Sequence, residues 1–265
     1  MIEVDAQLIR TLAADSKRLD ERAADEYRQI TITPNVISSA EGSAHVKVGD
    51  TQVIAGVKID IGTPFPDTPD EGVIIVAVEL VPLASIHFES GPPRQEAIEL
   101  SRVVDRAIRE SKAIDFKKMA IDSEKGWMIN VDIDVLNDDG NLFDACGIAA
   151  VVALHMARLP ELEDGKVVYE KKGTKRLPIT GIPLSTTFAK IGKTLVADPT
   201  FVEMQAMHAR LTVGTIEKNG KMLLCSMQKG GDHGLTEEEI YTMIDMAEQK
   251  GTEIRSLVEH AIKKH

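Results

Sequence analysis

Apolar and polar positions change period along this chain in segments that can be assigned one by one. Ala6 to Asp15 has the spacing of a short amphipathic helix, and the charged run KRLDERAADEYR after it has no clear period. Tyr27 to Thr33 alternates and predicts a strand. Ala44 to Val48 and Thr51 to Ile59, joined by Gly49-Asp50, predict a hairpin. The proline- and acid-rich IGTPFPDTPDEG is a loop, and GVIIVAVELV (Gly72 to Val81), apolar nearly throughout, predicts an inner strand. After Pro92-Pro93, Ala97 to Ser111 repeats as a helix. Trp127 to Leu136 alternates cleanly, with Asn130, Asp132 and Asp134 on one face, and Asp138-Asp139-Gly140 makes a turn. Leu142 to Leu159 is a small-residue helix stopped by Pro160, a composition suited to close burial.

Glu161 to Pro178 is polar and basic and predicts a boundary, dividing the chain into lobes 1–160 and 161–265. Beyond it, Thr186 to Ile191 and Thr194 to Val196 look like strands. Leu211 to Ile216 and Met222 to Met227 flank Asn219-Gly220, a pair suited to a type I′ turn. The last helix starts at Thr236 with Glu239 three residues on, a capping box. Its stripe runs through Ile240, Met243, Ile244, Ala247, Ile254, Val258 and Ala261, and Gly251 on that stripe predicts a close approach. The class is α+β, with two lobes and mostly antiparallel pairing.

Aromatics make up 4% of the 265 residues, so the core must be aliphatic. No apolar run reaches membrane-spanning length, and the acidic start MIEVDAQLIR does not resemble a secretory leader. The expectation is a cytoplasmic chain with no membrane contact, whose Cys146 and Cys225 are buried free thiols. The formal net charge of −11 speaks against general nucleic-acid affinity. Any nucleic-acid contact must come from a local basic patch or a surface shared with a partner.

Candidate chemistry is sparse. The acidic face Asp132, Asp134, Asp138, Asp139 offers hard oxygen ligands for a divalent metal, or is a solvated strand face. The seven histidines have no zinc-ligand spacing, and no nucleophile elbow, Walker loop or dinucleotide glycine pattern occurs. Gly230-Gly231 precedes a helix and could face an anion, or is a connector. The informative segment is the helix after Pro93. Leu100, Val103, Val104, Ala107 and Ile108 share one face, and Arg102, Arg106 and Arg109 share another, with Arg94 just upstream. Guanidinium groups bond phosphate oxygens bidentately, whereas Glu99, Asp105 and Glu110 beside them offer the alternative of surface ion pairs.

Five segments in fixed order then carry a resemblance: KRLDERAADEYR, EGSAHVKVGDTQVIAGVK, ELSRVVDRAIRES, VDIDVLNDDGNLFDACGIAAVVALHMARLP and LVADPTFVEMQAMHARLTVGTIEKNGKMLLCSMQKGGDHGLTEEEI. Together they resemble the RNase PH family, and within it the non-catalytic subunit of an archaeal exosome. The resemblance implies a two-lobed RNase PH-type fold. Its first lobe is like domain 2 of ribosomal protein S5, and its second is a smaller α/β sandwich. It implies a catalytic RNase PH-like sister subunit as heterodimer partner, three dimers in a six-membered ring, RNA-binding cap subunits, and single-stranded RNA as ligand. The family reaction is phosphorolysis, in which phosphate attacks the 3′-terminal linkage and a nucleoside diphosphate leaves.

Catalytic members of that family carry a Gly-Ser/Thr-Arg element after an Asp-Ala or Asp-Gly. Here Cys146-Gly147-Ile148 follows Asp144-Ala145. They also carry two aspartates in the second lobe. Gln205 or Ala206 stands in place of the first and Arg210 in place of the second. Asp20 to Arg22 reads DER where DGR is common. The resemblance therefore implies no catalytic residue, no metal and no cofactor in this chain, which is not itself an enzyme. It implies RNA contact through Arg106 and Arg109, with Arg102 and Arg94 beside them. Two alternatives stay open: an active phosphorolytic exoribonuclease in which Glu203 or another acid replaces the aspartates, and a metal-dependent hydrolase using Asp132, Asp134 and Asp138.

Overall fold

A computed structural model describes residues 6–122, 124–163, 166–168 and 173–264. Helix α1 (Ala6–Ala14) precedes a first sheet of β1 (Ile30–Pro34), β2 (Gly42–Val48), β3 (Thr51–Gly62), β4 (Val73–Leu80) and β5 (Gly126–Asn137), in the order β1-β2-β3-β5-β4. Helix α2 (Gln95–Glu110) links β4 to β5, and α3 (Leu142–Met156) follows β5. A small hairpin of β6 (Glu161–Glu163) and β7 (Lys166–Val168) lies in the expected boundary segment. The second sheet is formed by β8 (Leu184–Ile191), β9 (Thr194–Ala197), β10 (Ala209–Lys218) and β11 (Lys221–Gly230), in the order β11-β10-β8-β9. Helix α4 (Phe201–Ala206) sits between β9 and β10, and α5 (Glu237–Lys263) ends the fold. This is the α+β, two-lobed arrangement anticipated above.

The alternating strands behave as their period requires. In β5 the odd positions from Trp127 to Val135 are buried, and Asn130, Asp132 and Asp134 face outward. Helix α3 is buried on every side because it touches β2 and β3 of one sheet and β8 of the other. A helix between two sheets has no face for water, which explains its Ala/Gly/Val composition. Helix α5 runs along β8 and β10, and at Gly251 an added Cβ would lie 2.8 Å from the Thr215 hydroxyl, so the expected close approach is present. Asn219 and Gly220 both have positive φ, 55° and 71°, as a type I′ turn demands. Thr236 and Glu239 form the capping box that starts α5.

Four expectations need correction. Strand β4 is an edge strand paired parallel with β5, not an inner one. Its apolar run is explained in part by α2, whose Leu100, Val103, Val104 and Ile108 share a core with Ile74 and Val78, while Ile75 stays exposed. Strand β1 starts at Ile30 rather than Tyr27. The Tyr27 hydroxyl is committed to Asp144 and the Arg28 backbone N–H to Asp198, which draws these residues away from the sheet. The six-residue α4 was not foreseen, because it is too short to show a period. Cys146 is buried as expected, but Cys225, on the outer strand β11, is only half-buried.

Candidate nucleic-acid interface and the adjoining cleft

Helix α2 begins at Gln95, directly after the extended Arg94. Its apolar face (Ala97, Leu100, Val103, Val104, Ala107, Ile108) is buried against β4 and α3. Two side chains fasten it to the sheet edge. The Ser101 hydroxyl accepts from the Val78 N–H at 2.9 Å, and Arg109 Nη2 donates to the Ile74 carbonyl at 3.0 Å. Both backbone groups belong to β4, so α2 occupies hydrogen-bonding sites that an open sheet edge would offer to another chain.

The four arginines differ in how they are held. Arg102 and Arg106 are exposed and have no ion-pair or hydrogen-bond partner among the described residues. Arg109 is gripped on one edge by Asp105, at 2.8 Å from Nη2 and 3.2 Å from Nε, and its Nη1 makes no such bond among the described residues. Arg94 is paired with Glu89 at 2.5 Å, with both side chains largely in water. The structure thus gathers Arg102, Arg106 and Arg109 on one outward face and keeps Arg94 at the mouth of a shallow cavity with His87, Phe88 and Glu96.

A second cleft, about 410 Å³, opens beside the first at the seam of the lobes. Leu80, His87, Phe88 and Glu96 line both. The His87 and Phe201 rings stack with centroids 5.4 Å apart, joining the loop after β4 to α4. Arg210 lies 3.7 Å above the Phe143 ring and bonds Glu99 at 2.6 Å. Gln205 also lines the cleft, whereas Ala206 is buried in the cluster around α1. Cys146, Gly147 and Ile148 lie within α3 and are buried, so no side chain there reaches a phosphate, and burial pushes the Cys146 thiol well up. The acids of the β5 face do not come together. Among the described residues no group of three or more His, Cys, Asp or Glu stands close enough to hold a metal ion.

What sequence reasoning missed is the seam itself. Arg18 grips Glu203 with two bonds of 2.8 and 2.6 Å, and both side chains are buried. Arg28 makes two bonds to Asp198, 2.9 and 2.8 Å, and reaches Asp139 at 3.0 Å, while Arg22 also bonds Asp198 at 3.0 Å. Asn141 donates to both Asp198 and Asp144 at 2.8 Å. Burial opposes the charge of Asp198, but the hydrogen bonds and charge of Arg28 outweigh it and hold the carboxyl below its ordinary value. Burial pushes Asp144 up to about 6 despite bonds from Asn141, Thr187 and Tyr27. The signal in the sequence was the unperiodic arginine-rich KRLDERAADEYR, whose partners lie up to 185 positions away. Gly140 completes the seam. Its φ is +90°, and an added Cβ would fall 2.3 Å from the Phe201 nitrogen.

Comparison with known proteins agrees with this geometry. Residues 26–160 match the model of the 3′ exoribonuclease family, domain 1, and residues 181–250 that of the same family, domain 2. The exosome complex component Rrp42 of Methanothermobacter thermautotrophicus is 44% identical over 264 residues, which is 98% of this chain and 95% of that protein. A structure of the Archaeoglobus fulgidus exosome with RNA bound to the active site contains a chain that superposes with a TM-score of 0.87 at 42% identity, covering 96% of this chain and 97% of that one. An archaeal exosome core superposes at 0.85 with 39% identity, covering 97% of each chain.

Proposed function

The chain belongs to the 3′ exoribonuclease family, and on that premise we propose that it is a non-catalytic subunit of an archaeal-type exosome that helps hold single-stranded RNA for a catalytic sister subunit. One observation carries the non-catalytic part. Arg210, which the family resemblance puts in place of the second aspartate, is already bound to Glu99, and Cys146-Gly147-Ile148, which the resemblance puts in place of the phosphate-supporting element, is buried. A cation tied to a carboxylate cannot act as a general acid or ligate a metal. The alternative acid, Glu203, is itself committed to Arg18 and to the Thr200 backbone N–H. No observation favours the reading as an active nuclease or as a metal-dependent hydrolase.

In this reading Arg102 and Arg106 meet phosphates directly. Arg109 presents its open Nη1 in an orientation set by Asp105, and Arg94 exchanges its exposed partner Glu89 for the strand. The lobes divide at 160/161, three dimers of this chain with its catalytic partner close a six-membered ring, and RNA-binding cap subunits join that ring. Support for assembly comes from exposed apolar side chains: Leu223, Leu224 and Met227 on the edge strand β11, and Leu83 and Ile86 in the loop after β4. Among the described residues no helix is long and apolar enough to cross a membrane, and the free Cys146 and Cys225 fit a reducing cytoplasm.

The test is phosphorolysis. The full chain, incubated alone with single-stranded RNA and phosphate, should release no nucleoside diphosphate, and activity should appear when a catalytic sister subunit is added. Steady release by the chain alone would overturn the proposal.

A further inference from the structure

The cleft at the lobe seam carries an excess of one charge that the proposed RNA contact on α2 does not use. Its ionisable lining is three carboxylates, Glu96, Glu99 and Asp138, against one guanidinium, Arg210, with the His87 imidazole beside them. Arg210 is consumed internally: it bonds Glu99 at 2.6 Å, and its side chain is 4% exposed. Glu96 is exposed and Asp138 half-buried, and neither has a Lys or Arg partner among the described residues. Asp138 Oδ1 accepts from the Gly140 N–H at 3.0 Å, whereas its Oδ2 makes no hydrogen bond among the described residues. Burial, together with the charges of Asp139 and Glu96, holds the Asp138 carboxyl above its ordinary value. Like charges on a partly dry wall repel one another, and a cation beside them removes that cost.

The rest of the lining selects the kind of cation. Leu80, Phe88, Met204 and Met207 are half-buried, and the exposed His87 ring lies against Phe201 with centroids 5.4 Å apart and 18° between the planes. Such walls favour a cation that sheds its water readily. An ammonium is compact and strongly hydrated. A guanidinium is flat and weakly hydrated, stacks on aromatic rings, and bonds a carboxylate through two parallel N–H groups.

We propose that this cleft binds a guanidinium group carried on an aliphatic stem, with the cation at Glu96 and Asp138 and the stem along Met204 and the His87–Phe201 wall. The volume of about 410 Å³ admits the group and its stem. Asn141 Oδ1 and Arg210 Nε, which are closed to solvent, take no part. The same carboxylates repel the phosphates that the outer face of α2 attracts. The assignment rests neither on ring assembly nor on the arginines of α2, so its test is separate from the phosphorolysis test above.

The probes are agmatine, which is a free alkyl guanidinium, acetylarginine amide, which carries the same group on a peptide backbone, and acetylcitrulline amide, its neutral isostere. Each is titrated at pH 8, where an ordinary imidazole is uncharged, into the full chain with labelled methionine methyl groups. The expected result is saturable movement of the Met204 and Met207 methyl signals with the two guanidinium compounds, and none with the citrulline compound. Tighter binding of acetylarginine amide identifies a protein side chain as the natural occupant, and tighter binding of agmatine a free ligand. Glu96→Gln with Asp138→Asn should weaken the guanidinium compounds by roughly tenfold. An amide at 138 keeps the acceptor for the Gly140 N–H, and Glu96→Gln alone, at an exposed position, gives a smaller loss in a chain whose turn is untouched. Equal binding of the citrulline compound, signals that move only at methionines outside the cleft, or no saturation at millimolar concentration would overturn the assignment.

Discussion

Replacing Arg102 and Arg106 together by Glu removes two unpaired guanidinium groups from α2 and leaves the buried face, Leu100 to Ile108, untouched. Each phosphate contact on a single strand contributes about 0.7 to the slope of log affinity against log salt, so the pair contributes about 1.4. At roughly 0.1 M salt this predicts an RNA affinity lower by about 25-fold, shrinking to about threefold near 0.5 M. The loss should be similar across RNA sequences, because phosphate contacts carry no base information. The assay is a salt titration of RNA binding by the chain assembled with its sister subunits, wild-type against the double variant, with thermal melting as a control for folding. Arg109→Ala gives an internal comparison. Its bond to half-exposed Asp105 is worth at most about 1 kcal/mol of stability, and its single free edge should cost less affinity than either neighbour. Parallel salt lines and equal affinities for wild-type and the Arg102→Glu, Arg106→Glu chain would refute the idea that this helix meets RNA.

The seam supplies three further predictions. The folded-state value of Asp144, about 6, lies above the ordinary 3.8, so the native chain holds a proton that the unfolded chain releases between about pH 4 and 6. Stability should therefore fall as pH rises through that window, by an amount on the order of 3 kcal/mol, and Asp144→Asn should flatten the melting temperature between pH 4.5 and 7; an unchanged slope would rule out the raised value. Asp198 works with the opposite sign: its lowered value gives stability present at neutral pH and lost only as the pH falls below about 4. Arg18→Ala leaves Glu203 buried without its partner and should cost about 3–5 kcal/mol in denaturant unfolding, whereas a loss below about 1 kcal/mol would show that the pair is not structural.

Local chemistry was legible in the chain wherever one segment decides its own conformation. Alternation in β5, Asn219-Gly220 in the second hairpin and Thr236 with Glu239 at the start of α5 each act within a few residues. Helix α4 was hidden because it is held by contacts that no period reveals: a capping box at Thr200 and Glu203, and Arg18 from far upstream. The edge position of β4 was hidden for a related reason. An apolar run reports burial, and α2 buries one face of β4, at Ile74 and Val78, whether or not another strand lies beside it. The arginine stripe on α2 was legible as a face, but its division into free and engaged members was not. Whether Asp105 or water meets Arg109 depends on rotamers, and on the Ile74 carbonyl of another strand.

That division resolves an apparent contradiction in the charge. Helix α2 carries three arginines against Glu96, Glu99, Asp105 and Glu110, a formal balance of 3 − 4 = −1, which suits no RNA surface. Pairing redistributes it. Glu99 is taken by Arg210 from the second lobe, and Asp105 by Arg109. The acids left over are Glu96 in the first turn and Glu110 at the last residue, and the unpaired cations Arg102 and Arg106 lie between them. The cation at position 210 withdraws a carboxylate, Glu99, from the outer face of α2. Arg210→Ala should accordingly free Glu99 to compete for Arg102 or Arg106, and RNA binding should weaken without any residue of the outer face being changed. The salt slope reads this directly. A fall towards that of the Arg102→Glu, Arg106→Glu chain means that position 210 sets the charge of the RNA face. An unchanged slope in a folded Arg210→Ala chain means that the two surfaces are electrostatically independent.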